Sequence, residues 1–213
     1  MSLFYKMTSS SLKAFFRLLY DHEVIFQDAA PLSSSQGAII ASNHLSFLDP
    51  PLIAASYPEE IAFFARSTLF TNHFFKFLIS KLNAHPVGRG TDLNSIKLAC
   101  KLIEEGKKVL IFPEGTRSHD GKLCPFKRGI ALLALRTKAP IIPTYIHGTF
   151  DIWPKNQKLP SLFGKKTACV FGKPIFFDAF TQKEEADIIM RIHNEIAALE
   201  EWYKSKAKES TNS

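Results

Sequence analysis

Short apolar runs alternate along the chain with longer segments whose apolar residues return every three or four positions. Ala38-Ile39-Ile40-Ala41, Ile61 to Ala65 and Val109-Leu110-Ile111-Phe112 read as buried strands. Pro140 to Tyr145 and Thr167 to Phe171 read the same way, with a brief strand at Ala84 to Val87. Between them, helices are predicted from Leu52 to Tyr57, over the Phe-rich residues 69–82, and from Arg128 to Lys138. Leu93, Ile96, Cys100 and Ile103 share one helix face, and Gly106 supplies a C-terminal stop. The last helix opens with a capping box, Thr181-x-x-Glu184, and carries Ile189, Ile192, Ile196, Leu199 and Tyr203 at three- and four-residue steps. Strands alternating with helices predict an α/β fold: a mostly parallel central sheet flanked by helices. Such sheets bind ligands beyond the carboxyl ends of their strands.

The two chain ends read differently. In residues 1–36, Leu12, Phe15, Phe16, Leu19 and Tyr20 recur at helical spacing, with Lys13 and Arg17 elsewhere on the wheel. This predicts an N-terminal amphipathic helix, suited either to a membrane surface or to packing on the core. Turn residues from Pro31 to Gly37 mark a boundary, so the leader is expected to stand apart from one domain over 37–203. The polar tail, 204–213, is expected to be disordered. No apolar stretch reaches the roughly 18 residues of a spanning helix. Lys6, Lys13 and Arg17 interrupt any signal-peptide pattern.

Composition narrows the chemistry. The net charge of +7 favours phosphate-bearing partners, on nucleic acid or on anionic lipid, or serves solubility alone. No nucleic-acid recognition motif accompanies it, so a nucleic-acid partner is not expected. Nineteen Phe against two Trp and five Tyr supply either core or a lipid-facing surface. The three cysteines, Cys100, Cys124 and Cys169, are far apart, which argues against a zinc site or a disulfide framework and for a reducing cytoplasm. There is no Gly-x-Ser-x-Gly elbow, no phosphate loop ending in Gly-Lys-Ser/Thr and no His-Glu-x-x-His. No metal is expected.

Two loops carry the candidate chemistry. Asn43-His44-Leu45-Ser46-Phe47-Leu48-Asp49 follows the first predicted strand and precedes Pro50-Pro51. Imidazole titrates near neutrality and works best as a base when a carboxylate fixes its tautomer. Five residues apart, His44 and Asp49 would diverge on a regular helix, so the histidine belongs to the loop and Asp49 to the helix N-cap. The second loop, Phe112-Pro113-Glu114-Gly115-Thr116-Arg117-Ser118, turns sharply after a buried strand. Arg117 offers a fork of donors matched to phosphate, and amides near Gly115 and Thr116 can hold an anion. Arg89, or Lys127 with Arg128, is a candidate for a second cation.

Asn43-His44-x-Ser46-x-x-Asp49 together with Phe112-Pro113-Glu114-Gly115-Thr116-Arg117-Ser118 resembles the glycerophospholipid acyltransferase family. The resemblance runs from about Ala38 to Phe150 and includes Ala139-Pro140-Ile141-Ile142-Pro143. It implies acyl transfer from a thioester, acyl-CoA or acyl carrier protein, with no cofactor and no acyl-enzyme. His44 would be the general base and Asp49 its orienting partner. Glu114, Gly115, Thr116 and Arg117 would position the acceptor, with Arg117 and Arg89 on its phosphate. The Phe-Pro-Glu-Gly-Thr-Arg run leans toward lysophosphatidic acid as acceptor and phosphatidic acid as product. Other lysophospholipids, glycerol 3-phosphate, and a non-catalytic module binding anionic lipid are the alternatives. The leader is short for the family's two-helix membrane anchor, so attachment to an anionic membrane surface would rest on the N-terminal helix and the Phe-rich segment near 69–82, and a monotopic or peripheral position on the cytoplasmic face is expected. Arg66 stands where the family often has lysine, and Gly88 where it often has aspartate.

Overall fold

The structure is a computed structural model that describes residues 3–27, 35–71, 73–88, 93–161, 165–177 and 184–211. Among these residues, one sheet holds β1 (Glu23–Phe26), β2 (Ala38–Ser42), β3 (Ile61–Arg66), β4 (Ala84–Val87), β5 (Lys108–Ile111), β6 (Ile141–His147) and β7 (Ala168–Phe171). Their spatial order is β1-β7-β6-β2-β5-β3-β4. The strands from β6 to β4 are parallel. β7 runs antiparallel to β6, and β1 parallel to β7.

The central strands are built on apolar runs because both faces are covered, with polar Ser42 and Lys108 at strand ends and Thr144 within β6. Ala38, Ile40, Leu110 and Ile142 pack under α1 (Leu3–Tyr20) and α2 (Asp49–Ser56). Ile39, Ala41, Val109 and Ile141 face α4 (Leu93–Glu104), α5 (Gly129–Thr137) and α7 (Glu185–Thr211). α3 (His73–Lys81) sits beside β4 and α1, and a short α6 (Thr149–Ile152) follows β6.

Four expectations are corrected. The leader is not separate: β1 joins the sheet by pairing with β7, and α1 packs on α2. Tyr5, Phe16 and Tyr20 of α1 are buried, and the Tyr5 hydroxyl bridges the Ala54 carbonyl at 3.2 Å and the Ile61 amide at 3.0 Å. The Phe-rich helix begins only at His73, after a 3-10 turn over Ser67–Phe70. Asp49 is not an N-cap: Leu48 holds that position and Asp49 is the first helical residue, its carboxylate turned to the preceding loop. The tail is helical as far as Thr211. Lys, Ala and Glu are strong helix formers, a Lys204–Glu200 pair spans one turn of the helix, and a Lys206–Glu23 ion pair ties its start to β1. Arg89 and the capping residue Thr181 lie outside the described residues.

His22, at the junction of α1, α2 and β7, is buried between two hydroxyls. Ser56 Oγ donates to the Leu52 carbonyl at 2.7 Å, so it accepts from His22 Nε2 at 2.8 Å. Nδ1 then accepts from Thr167 Oγ1 at 3.0 Å. Burial pulls this imidazole down to about 4. Between that value and its unfolded value near 6.5, only the unfolded chain takes the proton, so stability falls as pH drops through this window, by up to about 3 kcal/mol. Glu114 opposes it, because burial raises that carboxyl to about 7 and stability then falls as pH rises toward 7. The expected result is that His22→Gln melts lower than the parent at pH 7 but loses less on acidification to pH 5. Parallel melting curves for the two proteins would contradict this.

Candidate active site

The register of β2 against β5 assembles the site. Ala41 pairs with Ile111, so three residues farther along each chain His44 and Glu114 emerge side by side at the carboxyl edge. The His44 amide donates to Glu114 Oε1 at 2.8 Å, and the Ser118 amide donates to the His44 carbonyl at 2.8 Å. The two sequence loops are therefore laced together through the His44 backbone, once to the Glu114 carboxylate and once to the Ser118 amide. On the other side, Asn43 clamps β6, donating to the Ile146 carbonyl at 3.0 Å and accepting from the Ile146 amide at 2.8 Å.

His44 Nδ1 lies 2.8 Å from Asp49 Oδ2, and the ring stacks on Phe112 at 3.9 Å. The same Oδ2 accepts from the amides of Leu45 at 2.6 Å and Ser46 at 2.8 Å. Asp49 Oδ1 accepts from Thr149 Oγ1 at 2.6 Å. Asp49 is fully buried, whereas the His44 side chain keeps an exposed edge. With Nδ1–H held by the carboxylate, Nε2 carries the free lone pair toward solvent. Thr149 is set by Gly148, which is left-handed at φ 78° and whose Cβ position would lie 2.0 Å from the Lys166 carbonyl. Only glycine fits there.

Glu114 departs from expectation. Rather than facing an acceptor, it is 2% exposed, and both oxygens are occupied by backbone amides, of His44 and of Cys124 at 3.3 Å. It braces the loops. Gly115 is left-handed at φ 67°, and the Lys127 side chain lies across it, with Nζ 2.8 Å from where a Cβ would stand. Thr116 Oγ1 is 3.5 Å from Lys155 Nζ, which also lies 3.0 Å from His119 Nε2. Arg128 is committed elsewhere, paired with Glu185.

Arg117 lies over the Phe47 ring at 3.4 Å, and its Nη1 is buried without a hydrogen-bond partner among the described residues. Burial, and then the neighbouring charge of Arg66, pull this guanidinium below its usual value. Arg66 ends β3, next to β5, and so supplies a second cation at the same edge. Sequence reasoning missed Thr149, Lys155 and the nearness of Arg66 to Arg117. Thr149 is 100 residues from Asp49 and no local spacing announces it. Arg66, at the end of an apolar run, was legible as a cation on a strand's carboxyl edge.

A family model described as Acyltransferase matches residues 23–147, more than half of the chain. The chain belongs to the Acyltransferase family. A 1-acyl-sn-glycerol-3-phosphate acyltransferase of Bacillus subtilis is 32% identical over 80% of this chain and 82% of its own length. A chloroplastic 1-acyl-sn-glycerol-3-phosphate acyltransferase of Brassica napus is 33% identical over 59% of this chain, which spans only 37% of that protein. The crystal structure of the 1-acyl-sn-glycerophosphate acyltransferase PlsC from Thermotoga maritima superposes with a TM-score of 0.76 at 25% identity, covering 93% of this chain and 79% of that one. Within this acyltransferase, the matched segment runs from β1 to the end of β6 and contains every residue of the two loops.

Proposed function

We propose that this acyltransferase moves a fatty acyl group from a thioester to the free hydroxyl of 1-acylglycerol 3-phosphate, making phosphatidic acid. One observation carries the reading: a carboxylate-oriented imidazole shares a sheet edge with a guanidinium that has a buried, unpartnered donor. His44 Nε2 takes the hydroxyl proton while the oxygen attacks the thioester carbonyl carbon. The tetrahedral intermediate collapses, the carbon–sulfur bond breaks, and the imidazolium returns the proton to the departing thiolate. Arg117, seconded by Arg66, holds the acceptor phosphate. Arg89 joins them in this reading.

No cofactor is invoked, and no protein nucleophile. Ser46 Oγ is buried and donates to the Trp153 carbonyl at 2.8 Å. Cys124 has its thiol pushed up, chiefly by burial, and so holds little thiolate. The relatives' names support lysophosphatidic acid as acceptor; acyl-CoA and acyl carrier protein are both retained as donors. Incubation with lysophosphatidic acid and each donor, followed by lipid analysis, tests the reading. Phosphatidic acid is the expected product, and acylation of glycerol 3-phosphate alone would overturn the choice of acceptor.

The same reading puts the enzyme on the cytoplasmic face of a membrane as a monotopic or peripheral protein. No described helix is long and apolar enough to cross a bilayer. α1 instead buries one face and exposes Leu3, Phe4, Met7, Phe15 and Leu18 on the rest. Phe77 of α3 extends that patch, with the Lys81 ammonium lying over the rings of both Phe4 and Phe77. Apolar side chains rimmed by lysine suit an anionic lipid surface. Phe4→Glu combined with Leu18→Glu is expected to cut co-sedimentation with anionic vesicles at least tenfold while leaving the melting temperature within a few degrees. Unchanged vesicle binding would remove α1 from the contact.

A further inference from the structure

We infer that Phe47 is a positioning residue for the acceptor phosphate, holding the Arg117 guanidinium by its flat face. The inference rests on the phosphate role given to Arg117 above. Phe47 is the one large apolar side chain of the histidine loop left substantially open, at 39% exposed. Arg117 is stacked 3.4 Å over its ring, and the ring also meets Trp153 at 5.1 Å. Trp153 is itself fixed at three points. Its carbonyl accepts from Ser46 Oγ at 2.8 Å, its amide donates to the Thr149 carbonyl at 3.0 Å, and Nε1 donates to the Gln157 carbonyl at 3.0 Å.

The stack solves a physical difficulty. Arginine has a long stem with about 2 kcal/mol of rotamer freedom to lose on binding an anion. Among the described residues Arg117 has no carboxylate within hydrogen-bond reach to hold it, and the Arg66 charge repels it. An aromatic face attracts a guanidinium without occupying its in-plane donors. Phe47 therefore orders Arg117 and leaves the fork free for phosphate oxygens. A carboxylate in its place would order it equally and compete with the ligand. Through Trp153 and Thr149 the stack also connects to Asp49, so the anion clamp and the base share one scaffold.

The test is a double-mutant cycle of Phe47→Leu and Arg117→Ala with kcat and KM measured for acceptor and donor. Phe47→Leu is expected to raise the acceptor KM about 5- to 20-fold, with kcat and donor KM within twofold of the parent. Phe47→Tyr, which keeps the face, is expected to restore the acceptor KM to within threefold. In the Arg117→Ala background, Phe47→Leu is expected to add nothing. If the two effects instead multiply, or if Phe47→Leu acts on kcat or on the donor, Phe47 does not act through Arg117 and the inference falls. If Arg117→Ala itself leaves the acceptor KM unchanged, the phosphate assignment fails first, and that outcome is separately readable. Should Phe47→Leu melt early, the Tyr variant decides: loss of acceptor affinity with the ring retained and the fold intact would overturn the role.

Discussion

Replacing His44 by alanine is expected to lower turnover by about 10²–10⁴-fold while the protein stays folded. Both halves of this expectation follow from the contacts. The hydrogen bonds that lace the two loops use the His44 backbone, its amide to Glu114 and its carbonyl from Ser118, and alanine keeps both. Asp49, losing the imidazole, still accepts from the amides of Leu45 and Ser46 and from the Thr149 hydroxyl. The structural loss is the ring's stack on Phe112. What disappears is the Nε2 lone pair, for which no neighbouring group substitutes: Glu114 is bound inward and Ser46 is tied to Trp153. Initial rates with lysophosphatidic acid and a thioester donor, alongside far-UV circular dichroism and a melting curve, check it. Turnover within tenfold of the parent in a folded variant would strip His44 of its role.

Asp49→Asn is expected to be nearly as damaging to the reaction and mild toward the fold. The asparagine carbonyl can take the place of Oδ2 and accept from Leu45, Ser46 and His44. Its amide can then donate to Thr149 Oγ1, which turns from donor to acceptor. Only the Thr149 hydroxyl hydrogen loses its acceptor, while the amides of Leu45 and Ser46 stay paired, so the melting temperature should move by only a few degrees. The negative charge is gone, however, and with it the support for an imidazolium. In a serine-protease triad the equivalent change costs about 10⁴-fold. A loss of about 10³–10⁴-fold in kcat with little change in acceptor KM is expected here. Asp49→Ala differs in kind, because it leaves buried donors of Leu45, Ser46 and Thr149 unmatched, each at about 1–3 kcal/mol. Asn and Ala variants with equal melting temperatures would contradict this account of the carboxylate.

The central sheet was legible because doubly covered strands need unbroken apolar runs, and Ile39-Ile40, Ile61 to Phe63 and Val109-Leu110 are such runs. The histidine loop and the Glu-Gly-Thr-Arg turn were legible as neighbours because both leave parallel strands at the same end. β1 escaped notice because Glu23-Val24-Ile25-Phe26 is short and half-buried, a strand that, among the described residues, pairs with residues some 145 positions later. The helical tail escaped because its polarity reads like that of a disordered segment, while its propensity and the Lys206–Glu23 ion pair decide otherwise. The role of Glu114 was misjudged for a related reason. Sequence places a carboxylate at the edge of a sheet but does not say whether it points out to a ligand or in to the backbone amides of a loop 70 residues away.

The reversed direction of the first and last strands has a geometric outcome. Because β1 and β7 run against the other five, Glu23 and Ala168 lie level with His147, at the end where β2, β5 and β6 finish. The polypeptide leaving α1 at Tyr20 is thus delivered to the rim that bears the imidazole, three strand spacings or roughly 14 Å from β2. Had those two strands followed the common direction, α1 would end at the opposite rim. In the membrane orientation proposed above, the lipid-facing helix and the reacting centre would then open on one rim of the sheet, and an acceptor would travel along that rim rather than across the depth of the sheet.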